Sequence, residues 1–313
     1  MTTIKRVLFA VSLMGLMVNS VWAENPKFNF SVTPIAENVY SIVSPSVGLP
    51  TPENKGWNSN SHFVVTENGV LLFDTGASET IGHAIKNAIK SITDKPVRWV
   101  INSHSHADHW LGNVAFSDEG TDIIASKHAL IAMKKYGPRS VDFYSRVSEG
   151  AIGSTQLAYP TLLLSEKQKR TFGGLDIEFI FPNDAHSSGD VLMWLPKQKI
   201  IFGGDVLSSD WMPITGDGDI PNLIETLYSI AELNPTIVLT GHGRATTVKS
   251  VIRDADLLSS VWKKVKEGKE NGRTSEEILS DVRAKFGPKY RGLYKDFVSE
   301  IERHVKLMFK LQK

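Results

Sequence analysis

Seven histidines and aspartates in this chain have the types and spacing of metal ligands. The set comprises His104, His106, Asp108, His109, His186, Asp205 and His242. The first four lie within six consecutive residues, and each of the other three follows a short β-rich run. Imidazole nitrogens and carboxylate oxygens are ligands of zinc and related divalent cations, and seven of them suffice for two ions. The sequence therefore predicts a two-metal site.

The spacing also predicts how the ligands divide between two cations. Residues two apart at the end of a strand project in the same direction, so His104 and His106 can bind one ion together. The predicted first site consists of His104, His106 and His186. The predicted second site consists of Asp108, His109 and His242. Asp205 follows two glycines, and we expect its carboxylate to bind the second ion and to be able to bridge to the first.

Each of these residues also has an ordinary interpretation. A histidine such as His186, taken alone in a loop after a strand, is usually just a polar loop residue. The cluster at residues 104–109 makes ligation the better interpretation, because such residues are rarely placed together without a cation. The remaining histidines lack such neighbours and are predicted to be structural or on the surface; they are His62, His83, His128 and His304.

The N-terminus has the pattern of a secretory signal peptide. Lys5 and Arg6 precede an apolar run from Val7 to Val18, and Val21-Trp22-Ala23 resembles a cleavage site. We expect residues 1–23 to be removed and the mature chain, 24–313, to be periplasmic or secreted, as in a Gram-negative bacterium. An uncleaved anchor or an ordinary first strand are the alternatives. The run is shorter than the roughly 20 apolar residues of a spanning helix, so no membrane partner is expected after cleavage.

Composition narrows the partners and the ligand chemistry. The chain has 35 basic and 34 acidic residues, a balance that disfavours nucleic acid and favours a small-molecule substrate. It has no cysteine, so metal ligands are restricted to nitrogen and oxygen atoms. Zinc suits such a set, and iron or manganese also accept it.

Hydrophobic patterning predicts an α/β fold of two similar halves that meet near residue 165. A β-meander is expected over residues 28–75, interrupted by a mobile loop at residues 44–60. A helix over 78–92 and a strand over 97–101 should lead into the histidine cluster. In the remaining chain, strands are predicted at 122–125, 175–181, 191–195, 199–202 and 236–239. Helices are predicted from 126 to about 136, over 221–233 and after 248, with breaks at 268–272 and 287–288. Residues 137–160 interrupt the pattern and are interpreted as an insertion near the site.

The motif His104-x-His106-x-Asp108-His109, with Asp74-Thr-Gly76 before it and Gly241-His-Gly243 after it, resembles the metallo-β-lactamase superfamily. The resemblance covers roughly Val32 to Thr247. It implies a four-layer αββα sandwich with a dinuclear, usually zinc, site at one edge. The mature chain would be a single such domain with a helical extension at about 250–313. The resemblance also places Asp74 beside the ligands, where it would orient them; a turn aspartate is the alternative.

Within this superfamily the sequence is similar to two groups. The stretch from Met193 to Gly204 resembles the segment before the metal-binding cysteine of one β-lactamase subclass, but Asp205 stands where that cysteine would be. An aspartate there resembles glyoxalase II, lactonases and related periplasmic hydrolases. Those lactamases usually carry a lysine three positions later to hold the carboxylate of the drug, and this chain has Ser208. The change removes a positive charge and argues against efficient β-lactam hydrolysis.

These observations predict an exported dinuclear zinc hydrolase. A metal-bound hydroxide would attack the carbonyl of an ester, thioester, lactone or amide, and Asp108 would orient it and relay its proton. A β-lactamase is the nearest alternative, and a non-catalytic metal- or partner-binding protein is the alternative from another class. Five apolar residues are candidates for a substrate wall, with core packing as the alternative: Trp57, Trp110, Tyr159, Trp211 and Met212.

Overall fold

The structure is a computed structural model. The residues that it describes are 28 and 30–312, apart from 118–119, 166–167, 183 and 215–216. The predicted signal peptide, residues 1–23, lies outside the described residues. Among the helices that are described, none combines the length and the apolar character needed to cross a membrane.

Two β-sheets form the centre of the described chain. The first has seven strands in sequential order: β1 Val32–Ala36, β2 Val39–Ile42, β3 Ser61–Val65, β4 Val70–Phe73, β5 Val97–Ile101, β6 Asp122–Ser126 and β7 Leu162–Leu164. The second has five strands: β8 Gln168–Phe172, β9 Leu175–Ile180, β10 Leu192–Leu195, β11 Ile200–Phe202 and β12 Ile237–Leu239. The order of the second sheet is β12-β11-β10-β9-β8. The sheets divide the chain near residue 165, as the patterning predicts.

Seven α-helices accompany the sheets within the described residues. They are α1 Glu79–Lys90, α2 Ala107–Trp110, α3 Lys127–Val147, α4 Ile220–Glu232, α5 Val248–Glu270, α6 Ser275–Tyr290 and α7 Phe297–Leu311. The start of α1 follows from its sequence, because the Ser78 side chain accepts a hydrogen bond from the amide of Ile81.

Side chains alternate between the two faces of each strand, so each sheet packs against the other sheet on one face and against helices on the other, which gives four layers. In β4, Leu71 and Phe73 pack in the core between the sheets, together with Phe179 and Phe202 of the second sheet. Leu72, which points to the other face, packs with residues of α1. The outer face of the second sheet is covered by α4 and by the three C-terminal helices, which share one core cluster with it. The αββα sandwich expected from the resemblance is confirmed.

Two predicted helix ends are wrong. The helix expected to stop near Tyr136 continues as α3 to Val147, through Gly137 and Pro138. Gly137 lies against the ring of Trp110, where a Cβ atom would leave little room, so the glycine serves a close packing contact. The residues expected to form an insertion therefore begin with about three more turns of helix.

The break expected at Gly287-Pro288 is likewise absent, since α6 runs to Tyr290. Phe286 and Tyr290 are buried in the cluster beneath the C-terminal helices. Proline near a helix end removes a single backbone hydrogen bond, and burial of these two rings offsets that loss. Three further strands that the patterning did not delimit are β1, β7 and β8.

The sheet topology brings several strand ends to one edge. Strands β4, β5 and β6 are parallel, so their carboxyl ends lie together. Strands β11 and β12 are parallel, and β9 runs the same way because it is antiparallel to β10. Backbone hydrogen bonds from Val191 to Ser103 and from Asn60 to Gly241 join the two edges. Loops after β5, β9, β11 and β12 consequently meet.

Candidate metal centre

The structure brings all seven predicted ligands together at this edge. They form two groups, within each of which one ligand atom per residue lies within 4.8 Å of the others. The first group is His104, His106, His186 and Asp205. The second group is Asp108, His109 and His242. All are buried except His106, which is half-buried.

Each ligand is positioned by the end of an element. His104 follows β5, while Asp108 and His109 lie on the short helix α2. His106 is the residue just before α2, His186 lies in the loop after β9, and Asp205 and His242 follow β11 and β12. Gly204 precedes Asp205 with a φ of +49°, and its Cα lies so close to Ser103 that a side chain would clash. Glycine therefore lets the loops from the two sheets approach closely enough to share a site.

Asp205 lies between the two groups. Its Oδ2 atom is 3.7 Å from His104 Nε2 and 3.6 Å from His186 Nε2. The same oxygen is 3.3 Å from His242 Nε2, and Oδ1 is 3.3 Å from His109 Nε2. One carboxylate thus contacts imidazoles of both groups.

The donor set fits a divalent cation. His104 Nε2, His109 Nε2 and Asp205 Oδ1 are buried and have no hydrogen-bond partner among the described residues. A buried polar atom without a partner costs about 1–3 kcal/mol, and three of them around one point are unfavourable unless something satisfies them. Cations bound in the two groups would remove that cost, and nitrogen and oxygen donors suit zinc.

The outer nitrogens of two ligands are held by one carboxylate. His109 Nδ1 lies 2.9 Å from Asp74 Oδ2. His104 Nδ1 lies 2.8 Å from the hydroxyl of Ser103, which in turn donates to Asp74 at 2.7 Å. Such partners fix the ring orientation and direct the other nitrogen toward the centre of the cluster. Asp74 therefore contacts one predicted ligand directly and a second through Ser103, and its role in orienting them stays a prediction.

Two other ligands have partners that sequence reasoning missed. His186 Nδ1 is 2.8 Å from the carbonyl oxygen of Ile214, and His106 Nε2 is 2.9 Å from Asp217 Oδ2. Asp190 holds the His186 loop by accepting the His186 amide at 2.7 Å. A backbone carbonyl leaves no signal in a sequence. The sequence around Asp217 has turn-forming residues and predicts an exposed loop, so it gives no sign of a contact with His106.

The protein groups alone set contrasting proton affinities in the cluster. Burial, followed by the positive charge available on His109, lowers the pKa of His104 well below its usual range, so His104 is neutral. Burial opposes a charge on His109, but Asp205, Asp108 and Asp74 outweigh it and raise the pKa of His109 well above the usual range. A cation binding at His109 must therefore displace a proton, as metal ligation by histidine generally requires.

Residues of the 44–60 loop contact Asp108. Asn58 Nδ2 is 3.4 Å from Asp108 Oδ2, and the Ser59 hydroxyl donates to the Asp108 carbonyl. Within the loop, the amide of Ser44 donates to Asn60 Oδ1 at 2.9 Å. These contacts fix the end of the loop beside the ligands; its predicted mobility stays a prediction.

The remaining histidines lie outside both ligand groups. His62 is buried between Ser41 and the carbonyl of Thr240, and burial lowers its pKa to about 4. His304 is also buried, whereas His83 and His128 are exposed.

A cavity of about 860 Å³ opens onto both groups. Its lining includes five residues of α3, namely Ala132, Tyr136, Ser140, Phe143 and Tyr144, together with Leu49, Ile214 and ligands of both groups. None of the five aromatic and methionine side chains proposed as a wall is among the lining residues. Trp110 and Met212 are buried in the core, and Tyr159 stacks on Trp110. The wall comes instead from α3, and three of its five residues, Ser140, Phe143 and Tyr144, lie beyond the predicted end of that helix.

Tyr144 is another residue that sequence reasoning missed. It is nearly buried and lines the cavity. Burial, followed by the carboxylates of Asp108 and Asp205, raises the pKa of Tyr144 well above its usual range. Its hydroxyl therefore stays protonated and can donate a hydrogen bond to a molecule in the cavity.

A sequence model of the metallo-beta-lactamase superfamily matches residues 54–242, which is more than half of the chain. The chain belongs to the metallo-beta-lactamase superfamily. Its similarity to individual curated members is distant. It is 24% identical to metallo-beta-lactamase IND-1 of Chryseobacterium indologenes over 60% of this chain and 73% of that protein. It is 24% identical to the metallo-beta-lactamase type 2 of Bacillus cereus over 82% of this chain and 98% of that protein.

Solved structures of the superfamily share the fold. A metallo-beta-lactamase from Pontibacter korlensis superposes with a TM-score of 0.60 at 21% identity, covering 74% of this chain and 99% of that one. The stereoselective inverting sec-alkylsulfatase Pisa1 from Pseudomonas sp. gives a TM-score of 0.66 at 14% identity, covering 90% of this chain and 50% of that one. As a metallo-beta-lactamase superfamily member, the chain is a hydrolase with a His/Asp cluster suited to divalent metal.

Proposed function

We propose that this protein is a dinuclear zinc hydrolase that cleaves a carbonyl compound such as an ester, thioester, lactone or amide. The observation that carries the proposal is the convergence of five imidazoles and two carboxylates in two adjacent groups on an 860 Å³ cavity. The roles of the seven residues as ligands, of zinc as the metal and of two as its count belong to this proposal.

When bound, divalent cations supply Lewis acidity, which lowers the pKa of water toward about 7 and polarises a carbonyl group. The chain's own residues organise the reactants. Asp205 holds the two groups at a fixed spacing through contacts with His109 and His104. Asp108, fixed by the 44–60 loop, accepts a hydrogen bond from the attacking water and orients it. Overall, one water adds to the carbonyl carbon, the bond to the leaving oxygen, sulfur or nitrogen breaks, and that atom gains a proton.

Ser208 supports acyl hydrolysis over β-lactam hydrolysis. Its hydroxyl donates to the carbonyl of Trp211 at 3.1 Å, the residue is buried, and it is not among the residues that line the cavity. It therefore offers no charge to a substrate carboxylate at the position where the resembling lactamases carry lysine. β-Lactams remain one class in the test, because the matched curated relatives are named metallo-beta-lactamases.

Export and domain structure complete the proposal. The pattern of residues 1–23 supports a cleaved signal peptide, and the matched relatives are bacterial. The C-terminal helices share a core cluster with the second sheet, which supports treating residues 24–313 as one domain.

The test is hydrolysis by zinc-loaded protein, with metal content measured in the same preparation. We expect two zinc ions per chain and turnover of at least one ester, thioester or lactone, with little turnover of the β-lactam nitrocefin. His106→Ala should lose both metal and activity. Nitrocefin turnover exceeding that of every acyl substrate would instead identify a β-lactamase. Bound zinc without turnover of any class would leave a non-catalytic metal-binding protein.

A further inference from the structure

One wall of the cavity that opens onto both ligand groups is a mostly apolar stripe on α3. Ala132, Tyr136, Ser140 and Tyr144 recur every four residues, and Phe143 lies beside the last of them. This spacing places the five side chains along one face of a helix. The other side of the same cavity carries the imidazoles and carboxylates of the ligand groups. The cavity is therefore apolar along α3 and polar at the ligands.

The apolar stripe is unusually exposed. Three aromatic side chains in the described part of the chain are more than a third exposed: Tyr136 at 49%, Phe143 at 37% and Tyr228 at 39%. Two of these three line this cavity, and so does Leu49, which is 51% exposed. Apolar area gathered around a concave site, rather than scattered, is typical of a surface that a ligand covers.

We propose that the cavity selects substrates that carry an aromatic or similarly bulky apolar group next to the scissile carbonyl bond, and that Phe143 and Tyr136 determine this specificity. This inference rests on the proposed function and names its substrate class. The scissile bond lies at the ligand groups, and the apolar group packs along α3. Burial of apolar surface there is favourable in proportion to the area withdrawn from water, so a ring gains more binding than a methyl group does.

The experiment compares three neutral esters by pH-stat titration of zinc-loaded protein. Methyl acetate has no bulky group, methyl phenylacetate carries a ring on the acyl side, and benzyl acetate carries it on the alcohol side. We expect kcat/KM for at least one ring-bearing ester to exceed that for methyl acetate by about tenfold or more. Phe143→Ala and Tyr136→Ala should each lower the ratio of kcat/KM for the preferred ring-bearing ester to that for methyl acetate by about fivefold.

Ile131→Ala is the matched control. Ile131 lies on α3, is 54% exposed and is not a lining residue, so its truncation should leave all three rates unchanged. Because Phe143 and Tyr136 are themselves exposed, their truncation should not unfold the helix.

A binding measurement tests, independently of turnover, whether the α3 wall binds an aromatic ring. Acetate and phenylacetate share a carboxylate and differ by the ring, and calorimetric titration into zinc-loaded protein should show phenylacetate binding about tenfold more tightly. Phe143→Ala should abolish most of that difference. Equal binding of the two anions, or a preference that persists in both variants, overturns the inference even if esters are hydrolysed. A protein that prefers phenylacetate but cleaves no substrate refutes the proposed function and leaves the apolar wall standing.

Discussion

Two buried clusters in this protein balance their charges differently. Around Asp254, on α5, the chain supplies its own cation: Arg253 Nε lies 2.8 Å from Asp254 Oδ1, and the Tyr294 hydroxyl donates to the same oxygen. Around Asp205, the ion-pair contacts in the described residues are all with histidines, and Oδ1 has no hydrogen-bond partner. A cluster completed by arginine stabilises a fixed structure, whereas one that lacks a permanent cation is suited to bind one. Burial of charge alone therefore does not identify a functional site; the two clusters differ in whether the chain itself supplies a permanent cation.

The largest expected effect comes from Asp205, because it contacts both ligand groups. Asp205→Ala should lose most zinc from both and reduce kcat/KM about a thousandfold or more, since stabilisation by bound metal is worth several kcal/mol. Elemental analysis and steady-state kinetics measure both effects. Asp176→Ala, which removes a surface partner of Lys197, should keep full metal and activity. Two zinc ions retained in Asp205→Ala would contradict the assignment of this carboxylate.

The contribution of the Asp254 cluster to folding stability should depend on pH. Burial, only partly offset by Arg253, raises the pKa of Asp254 to about 6 from 3.8. The folded protein then takes up a proton between about pH 6 and pH 4 that the unfolded chain does not, so this group's contribution to stability improves as the pH falls through that window. The shift corresponds to at most about 3 kcal/mol.

Thermal unfolding of wild type and Asp254→Asn at several pH values measures this contribution. The Tm of wild type should rise relative to that of the variant between pH 7 and pH 5. Asp256→Asn, an exposed change on the same helix, should show no such trend. A difference between wild type and Asp254→Asn that stays constant with pH would mean that Arg253 fully compensates the buried charge.

Substitution of Asp74 is predicted to have an intermediate effect on the zinc affinity of the cluster. Asp74→Asn keeps the shape of the side chain, and asparagine tolerates its φ of +63°, but it weakens the acceptor that orients His109. Zinc affinity should fall 10- to 100-fold, as is typical for partners of metal-bound histidine. Competition with a calibrated chelator measures the affinity. Unchanged affinity would mean that Ser103 and the backbone hold the rings without Asp74.

Substitution of Asp217 is predicted to have the smallest effect on zinc affinity. It contacts His106 at 2.9 Å, but its side chain is 75% exposed, and water can replace it. Asp217→Asn should weaken zinc binding only a fewfold, measured in the same competition assay. A loss as large as that of Asp74→Asn would show that this exposed contact is as important as the buried one.

Local patterns predicted the site's supports better than its surroundings. Strand β5 was predicted with the bounds that the structure has, because alternation and flanking turn residues define it. The convergence of the seven predicted ligands could be expected because they come in a compact motif and then at strand ends. Gly137-Pro138 predicted the end of a helix, yet packing of Gly137 against Trp110 keeps α3 helical. Since that extension carries Phe143 and Tyr144, the error also hid the cavity wall.

The partners of the ligands were harder to predict for another reason. The Ile214 carbonyl that contacts His186 is a backbone group, and every residue has one. Asp217 reaches His106 across 111 positions of sequence, a contact that tertiary packing alone creates. Sequence reasoning finds residues with distinctive chemistry and cannot find those that matter only by where the chain folds.

The ligand groups draw on both sheets, and this has a consequence for assembly. His104 follows β5, whereas Asp205 follows β11 and His242 follows β12. During biosynthesis no complete coordination shell exists until the last of these loops has emerged and docked. If the proposed ions bind, their capture would therefore be a late event that ties the two halves together. Removing bound metal with a chelator should accelerate amide hydrogen exchange along β5 and β11 together, since the predicted ligands that link the two sheets would be released from both.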